Sequence, residues 1–132
     1  MSGRHLFDVS SIIALAIKRR VDLLVGGYTL ELAGYEIGSY LWKEIYLSRS
    51  VSLDDLLKLE SLFVKILGKM NVVRGSALSA EVVKLAGELN LTYYDGSYLY
   101  HAGKLGLALV TEDGELREKA GKATQVMKSE DI

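Results

Sequence analysis

Short apolar runs alternate along this chain with longer stretches whose apolar residues return every three or four positions, the pattern of strands interleaved with amphipathic helices. His5 to Val9 reads as a short first strand. Ser10 and Ser11 offer an N-cap to a helix carrying Ile12, Ile13, Leu15, Ala16 and Ile17. That helix ends in Lys18-Arg19-Arg20, where cations suit the negative end of the macrodipole. Leu23-Leu24-Val25, closed by Gly26-Gly27, reads as a second strand. Thr29 then opens a long helix with an apolar stripe of Leu30, Ala33, Ile37, Leu41 and Ile45.

Ser52, with Asp55 three residues on, starts a third helix through Leu56, Leu59, Phe63 and Ile66. Asn71 to Arg74 is a third strand, broken by Gly75. Ser79 starts a helix through Val82, Ala86 and Leu89, and Thr92 starts another that runs to about His101-Ala102. Leu107 to Thr111 is the fourth strand, Glu115 to Ala120 a short helix, and Thr124 to Met127 the fifth strand. Strands that alternate with helices in this way build a parallel sheet with right-handed crossovers. The expected fold is α/β with three layers: a central five-stranded parallel sheet flanked by helices. A chain that winds out to one edge and returns places strand one beside strands two and four. A single domain is expected to span residues 1–132, since no linker or low-complexity tract divides the chain.

Four acids stand out against this frame. Asp8 and Asp113 follow apolar strands, at the edge where open α/β sheets gather their sites. Glu36 and Asp95 fall on helices able to lean over the same edge. Each also has a simpler reading. Ser10 and Ser11 already supply a cap, which leaves Asp8 freer to act as a ligand. Asp113 fits equally as the cap of the following helix. Thr92-x-x-Asp95 is a capping-box pattern in its own right, and most helical glutamates are simply solvated. It is the coincidence of all four that counts. Carboxylates gathered together repel unless a cation or a shared proton neutralises them, so a divalent metal is the economical explanation.

Composition narrows the metal. The chain has no cysteine and two histidines, which disfavours a zinc cage and leaves oxygen ligands, the preference of magnesium and manganese. A net charge of −1 announces no basic field, so any nucleic-acid contact must rely on a local rim. The longest strongly apolar stretch, Ile12 to Ile17, is far short of the ~20 residues of a membrane span, and no signal peptide is read. A cytoplasmic protein without membrane contact is expected. Two asparagines and one glutamine lean towards a thermophilic source, whereas the absence of proline leans away from it.

Several segments resemble the PIN-domain family, and within it the VapC-like ribonuclease toxins. Phe7-Asp8-Val9-Ser10-Ser11 resembles the opening strand of that family, and Leu32-Ala33-Gly34-Tyr35-Glu36-Ile37-Gly38 resembles its acidic helix. Tyr93-Tyr94-Asp95-Gly96-Ser97-Tyr98-Leu99, followed by Ala102, is similar to the third motif, and Leu109-Val110-Thr111-Glu112-Asp113 to the fourth. The resemblance implies that Asp8, Glu36, Asp95 and Asp113 are catalytic and coordinate one or two Mg²⁺ or Mn²⁺ ions. It implies that Ser10 and Thr111 line or buttress the site, with Glu112 an additional acid beside it. The implied activity is metal-dependent endoribonuclease cleavage by the toxin of a VapBC-like pair, with RNA as substrate. A small DNA-binding antitoxin is the implied partner, while the high apolar fraction, the tyrosine-rich surfaces and the paired glycines point to a homodimer or larger assembly.

Lys104, Arg117 and Lys119 lie closest in sequence to the matched motifs and are candidates for an RNA-binding rim. Tyr93, Tyr94, Tyr98 and Tyr100 could stack on bases, although Tyr94, Tyr98, His101 and Leu105 share one helical face and suit a core or interface. Gly34 and Gly38 suggest close helix packing, within the fold or between subunits. The alternatives are a PIN nuclease of RNA processing or decay without an antitoxin, and a non-catalytic interaction scaffold. A receiver-like signalling domain would need an acid at the end of strand three, which ends Val73-Arg74-Gly75.

Overall fold

The structure, a computed structural model, describes residues 4–75, 77–121 and 124–132. Five strands form one sheet: β1 (His5–Phe7), β2 (Tyr28–Leu30), β3 (Asn71–Val73), β4 (Ala108–Val110) and β5 (Val126–Met127). Their order is β3-β2-β1-β4-β5, and every neighbouring pair is parallel. β1 is central, flanked by β2 and β4 as the winding argument requires, with Leu6 in register with Leu109 on one side and Tyr28 on the other.

Side-chain alternation divides the core into two layers. Phe7 and Val110 face α1 (Val9–Ile17), α2 (Leu32–Trp42) and α3 (Leu56–Gly68), packing with Ile12, Ala33, Ile37, Phe63 and Ile66. Leu6, Leu30 and Leu109 face the other way, onto α5 (Tyr93–Leu105) and α6 (Gly114–Ala120), where Tyr98, Leu99, Ala102 and Leu116 are buried. α4 (Ala80–Leu89) packs on α5 so closely that a Cβ at Gly96 would come within 2.8 Å of the Ala86 Cβ. The result is helix, sheet, helix. Among the described residues no helix is long and apolar enough to cross a membrane.

Caps set most of the helix starts. Ser79 accepts from the Val82 amide, Thr92 from Asp95 and Asp113 from Glu115 and Leu116. α5 runs to Leu105, beyond the expected end at His101-Ala102, and closes on Gly106 at a left-handed φ of 69°.

Four expectations are corrected. The second strand is not Leu23-Leu24-Val25. Val21–Leu23 forms a 3₁₀ turn, and Leu24 is buried in the core. The chain then turns through Gly26 (φ 79°) and passes Gly27 against the Phe7 ring, where a Cβ would lie 2.5 Å from Cε2. Asn71 ties this turn to β3 through its Nδ2 bond to the Gly26 carbonyl, at 2.9 Å. Pairing therefore begins at Tyr28.

Thr29 does not open a helix. It is a buried strand residue whose hydroxyl donates to the Phe7 carbonyl at 2.8 Å. α2 starts at Leu32 and continues past Trp42 as a π-helical segment, Lys43–Leu47, whose Ile45 stays buried. The cap of α1 is Asp8 rather than Ser10 or Ser11, because its carboxylate accepts from the Ser11 amide at 2.9 Å. Finally, Gly34 and Gly38 are exposed, and a Cβ added at either would meet nothing within 4 Å, so they serve no close helix contact within the fold.

Candidate active site

The crossing from β1 into α1 places Asp8 at the C-terminal edge of the sheet, between β1 and β4. Its amide donates to the Val110 carbonyl at 3.1 Å, which continues the strand pairing by one residue. Its buried carboxylate is held on both oxygens. Oδ1 accepts from the Ser10 hydroxyl at 2.6 Å and from the Ser11 amide, and Oδ2 accepts from the Thr111 hydroxyl. Burial raises the Asp8 pKa, and these hydrogen bonds pull it back only in part. A desolvated carboxylate is thus built into the sheet edge.

Asp8 lines a cavity of about 720 Å³ together with Glu36, Asp95 and Asp113. Four acids from β1–α1, α2, α5 and β4–α6 therefore share one space. Glu36 is half-buried on α2 and accepts at 2.8 Å from the Tyr98 hydroxyl of α5. Its pKa is raised, first by desolvation and then by the charges of Asp8 and Asp95, with the Tyr98 bond opposing. Asp95 is raised by desolvation and by the Asp113 charge, with Thr92 opposing and Glu115 adding. Asp113 is exposed, and its Oδ1 caps α6. Burial is the first cause of all three shifts, and repulsion from neighbouring acids adds to it at Glu36 and Asp95.

Both buttressing positions touch the acid. Besides bonding Asp8, the Ser10 and Thr111 hydroxyls lie 3.3 Å apart, and they accept the amides of Glu112 and Asp113 respectively. Glu112 itself is turned to a structural task, accepting the Ser129 amide at 2.9 Å.

The three rim candidates lie outside the cavity wall. Arg117 donates to the Thr111 carbonyl at 3.2 Å, and Lys119 is taken up by the Asn90 carbonyl and Glu115. Lys104 lies 6.0 Å over the Tyr100 ring. The cation in the wall is Lys43, first residue of the π-helical segment. Spacing could have found it, because Glu36, Tyr40 and Lys43 follow an i, i+4, i+7 helical face. Tyr98 was equally legible as a partner of that face, one turn beyond Asp95. Of the face shared by Tyr94, Tyr98, His101 and Leu105, only Tyr98 is core, while Tyr94 and Leu105 are exposed.

The donor set is all oxygen, anionic and partly dehydrated, which fits a hard divalent cation. Among the described residues no group of three or more histidine or carboxylate side chains is drawn tightly enough to enclose an ion as it stands. Tyr98 occupies one oxygen of Glu36, and the α6 amides occupy one of Asp113.

A strand order of 3-2-1-4-5 with acids gathered at the C-terminal edge of β1 and β4 can be compared with known proteins. Exonuclease VapC9 of Pyrobaculum aerophilum is 38% identical over 132 residues, covering 96% of this chain and 92% of the relative. The crystal structure of PAE2754 from the same organism matches with a TM-score of 0.83 and 32% identity, covering 99% of this chain and 93% of that one. No family model matches the chain. The relative's identity over nearly the full length is decisive, and the chain belongs to the PIN-domain family, among its VapC-like members.

Proposed function

We propose that this protein is a Mg²⁺- or Mn²⁺-dependent ribonuclease, acting in the cytoplasm as the toxin of a VapBC-like pair. The observation that carries this reading is that Asp8, Glu36, Asp95 and Asp113, from four separate parts of the chain, line one cavity. In it these four acids are the catalytic groups and would hold the cation. When bound, the ion would supply Lewis acidity, making water acidic enough to attack at neutral pH and neutralising charge on the phosphate.

The remaining chemistry belongs to the chain. Ser10 and Thr111 fix the orientation of Asp8, so that the carboxylate faces the cavity without searching rotamers. Tyr98 does the same for Glu36. Lys43 puts an exposed cation on the wall, where a phosphate of the strand would meet it. Lys104, Arg117 and Lys119 are proposed for more distant phosphates. The exposed apolar residues Trp42, Tyr46, Leu47, Leu53 and Leu57 support a partner chain, either a second copy or a small DNA-binding antitoxin.

Endonucleolytic cleavage is the leading mode, because the cavity is an open groove on the sheet edge. The name of the P. aerophilum relative, an exonuclease, favours attack from an end as a second reading. Matched linear and circular RNAs, incubated with Mn²⁺ and with chelator, test both. Cleavage of both forms in Mn²⁺ supports the endonuclease, and cleavage of the linear form alone supports the exonuclease. No cleavage of either form by wild type, or equal cleavage by an Asp8→Asn variant, would overturn the proposal.

A further inference from the structure

Beside the acid cavity lies a second one of about 370 Å³, at the C-terminal ends of β2 and β3. The two share a wall of Leu32, Tyr35 and Tyr94. Its volume falls in the range of small-molecule pockets, roughly 300–1,000 Å³. We propose that this cavity seats the base of a nucleotide adjoining the phosphate held over the acids. The inference rests on the nuclease reading and extends it to how the strand is gripped.

The first argument is a repeated arrangement. Tyr35 immediately precedes Glu36 on α2, and Tyr94 immediately precedes Asp95 on α5. Successive helical residues diverge by about 100°. Each helix therefore gives its acid to the first cavity and a tyrosine to the wall between the two. Both rings remain in solvent, Tyr35 at 81% and Tyr94 at 56% exposure. Large exposed aromatic faces next to a phosphate site are stacking platforms, because every base has a π-face.

The second argument is the polar complement. His101 lines the cavity, and its Nδ1 lies 2.8 Å from the Ser97 carbonyl, an atom that only accepts. Nδ1 therefore carries the proton, and in the neutral ring Nε2 is left as an acceptor. The Tyr100 ring, edge-on at 5.4 Å, fixes the plane of the imidazole. His101 thus adds a polar edge to a pocket that Glu31, Arg74 and Ser97 also line. At the mouth, Arg74 sits 3.6 Å from Glu31, a surface pair weak enough to open towards a phosphate.

The test uses the full chain with Asp8→Asn, which is expected to block cleavage. Labelled RNA pentanucleotides, each with one abasic position, are titrated by fluorescence anisotropy. One position is expected to lose about tenfold or more in affinity, the size of a single base–aromatic stack. Adding Tyr35→Ala should erase the penalty, whereas Tyr35→Phe, which keeps the ring, should retain it.

A flat abasic scan, or a penalty that survives Tyr35→Ala, would overturn the proposal. So would an altered sedimentation coefficient in Tyr35→Ala with unchanged RNA affinity, since the tyrosines would then belong to a subunit contact. Wild-type cleavage of the unmodified pentanucleotide in Mn²⁺ is measured in parallel. Cleavage with a flat scan removes the base site alone, and a position-specific scan without cleavage removes the nuclease reading alone.

Discussion

The Tyr98 hydroxyl donates a 2.8 Å hydrogen bond to Oε1 of Glu36, joining α5 to α2 across 62 residues of sequence. Tyr98 is 1% exposed, and its pKa is raised, first by burial and then by the Glu36 charge. It is therefore a permanent donor at any working pH. Among the hydrogen bonds of the candidate site, it directly joins the two helices that bring Glu36 and Asp95.

Tyr98→Phe keeps the ring and removes that donor. The expected loss of stability is about 1 kcal/mol, since half-buried Glu36 regains water in exchange. Mn²⁺ affinity should fall roughly tenfold, as it does when an outer support of a metal ligand is lost. Calorimetric titration of the metal and a thermal melt measure the two effects. Unchanged affinity would make Tyr98 a packing residue only.

Asp8→Asn should abolish metal-dependent cleavage and leave the fold intact. Asn can still accept from the Ser11 amide, and the Thr111 hydroxyl can turn to accept the new amide. In chelator, this variant should melt at or above wild type because a desolvated charge has gone. Added Mn²⁺ should reverse the order, since a ligand of the native state stabilises only the chain that binds it. Parallel melting curves in both conditions would count against a metal site at Asp8.

The raised acids give the fold a definite pH response in chelator. Asp8, Glu36 and Asp95 are all raised, so the folded chain holds protons that the unfolded chain releases. Their stabilising contribution is fully present below the unfolded values of about 4 and is lost as pH rises through the folded ones. The urea midpoint should therefore increase on acidification from pH 7.5 towards 4.5, and less steeply in Asp8→Asn. Glu112 works in the opposite sense. Desolvation is its largest single influence, but the Ser129 bonds and nearby Lys18 and Arg117 outweigh it and lower its pKa. Its contribution fades only below the window of the other three. A midpoint that falls throughout the acidification would refute the sign.

Gly96→Ala should destabilise by about 1–3 kcal/mol, because the new methyl would meet the Ala86 Cβ at 2.8 Å and the packing of α4 on α5 would have to shift. Ala86→Gly in the same chain should restore part of the loss. Urea unfolding of the two single variants and the double variant would show the coupling as a departure from additivity.

How much of this was legible from sequence depended on how local each cause is. The starts of α4, α5 and α6 were readable because Ser79, Thr92 and Asp113 act on amides two or three residues away. β3 was readable because Asn71-Val72-Val73 is short, β-branched and ended by a glycine. β2 was not, because Leu23-Leu24-Val25 is the more apolar run, yet it lies in a turn where Leu24 alone is buried. The passage of Gly27 over the Phe7 ring decides that choice, and it is a contact across 20 residues. The four acids were found by position. That Asp8 is both helix cap and site carboxylate was not, since one side chain with two oxygens can serve both uses.

The pairing of Leu6 with Leu109 has a consequence for the newly made chain. The centre of the sheet joins residues about a hundred positions apart, a closure among the slower kinds in folding. Until β4 has left the ribosome, Asp8 has no Thr111 to hold its second oxygen and no Asp113 to share its cavity. A nascent chain therefore lacks one wall of the acid cavity through most of its synthesis. On the nuclease reading proposed above, the wiring of the sheet acts as a timing device.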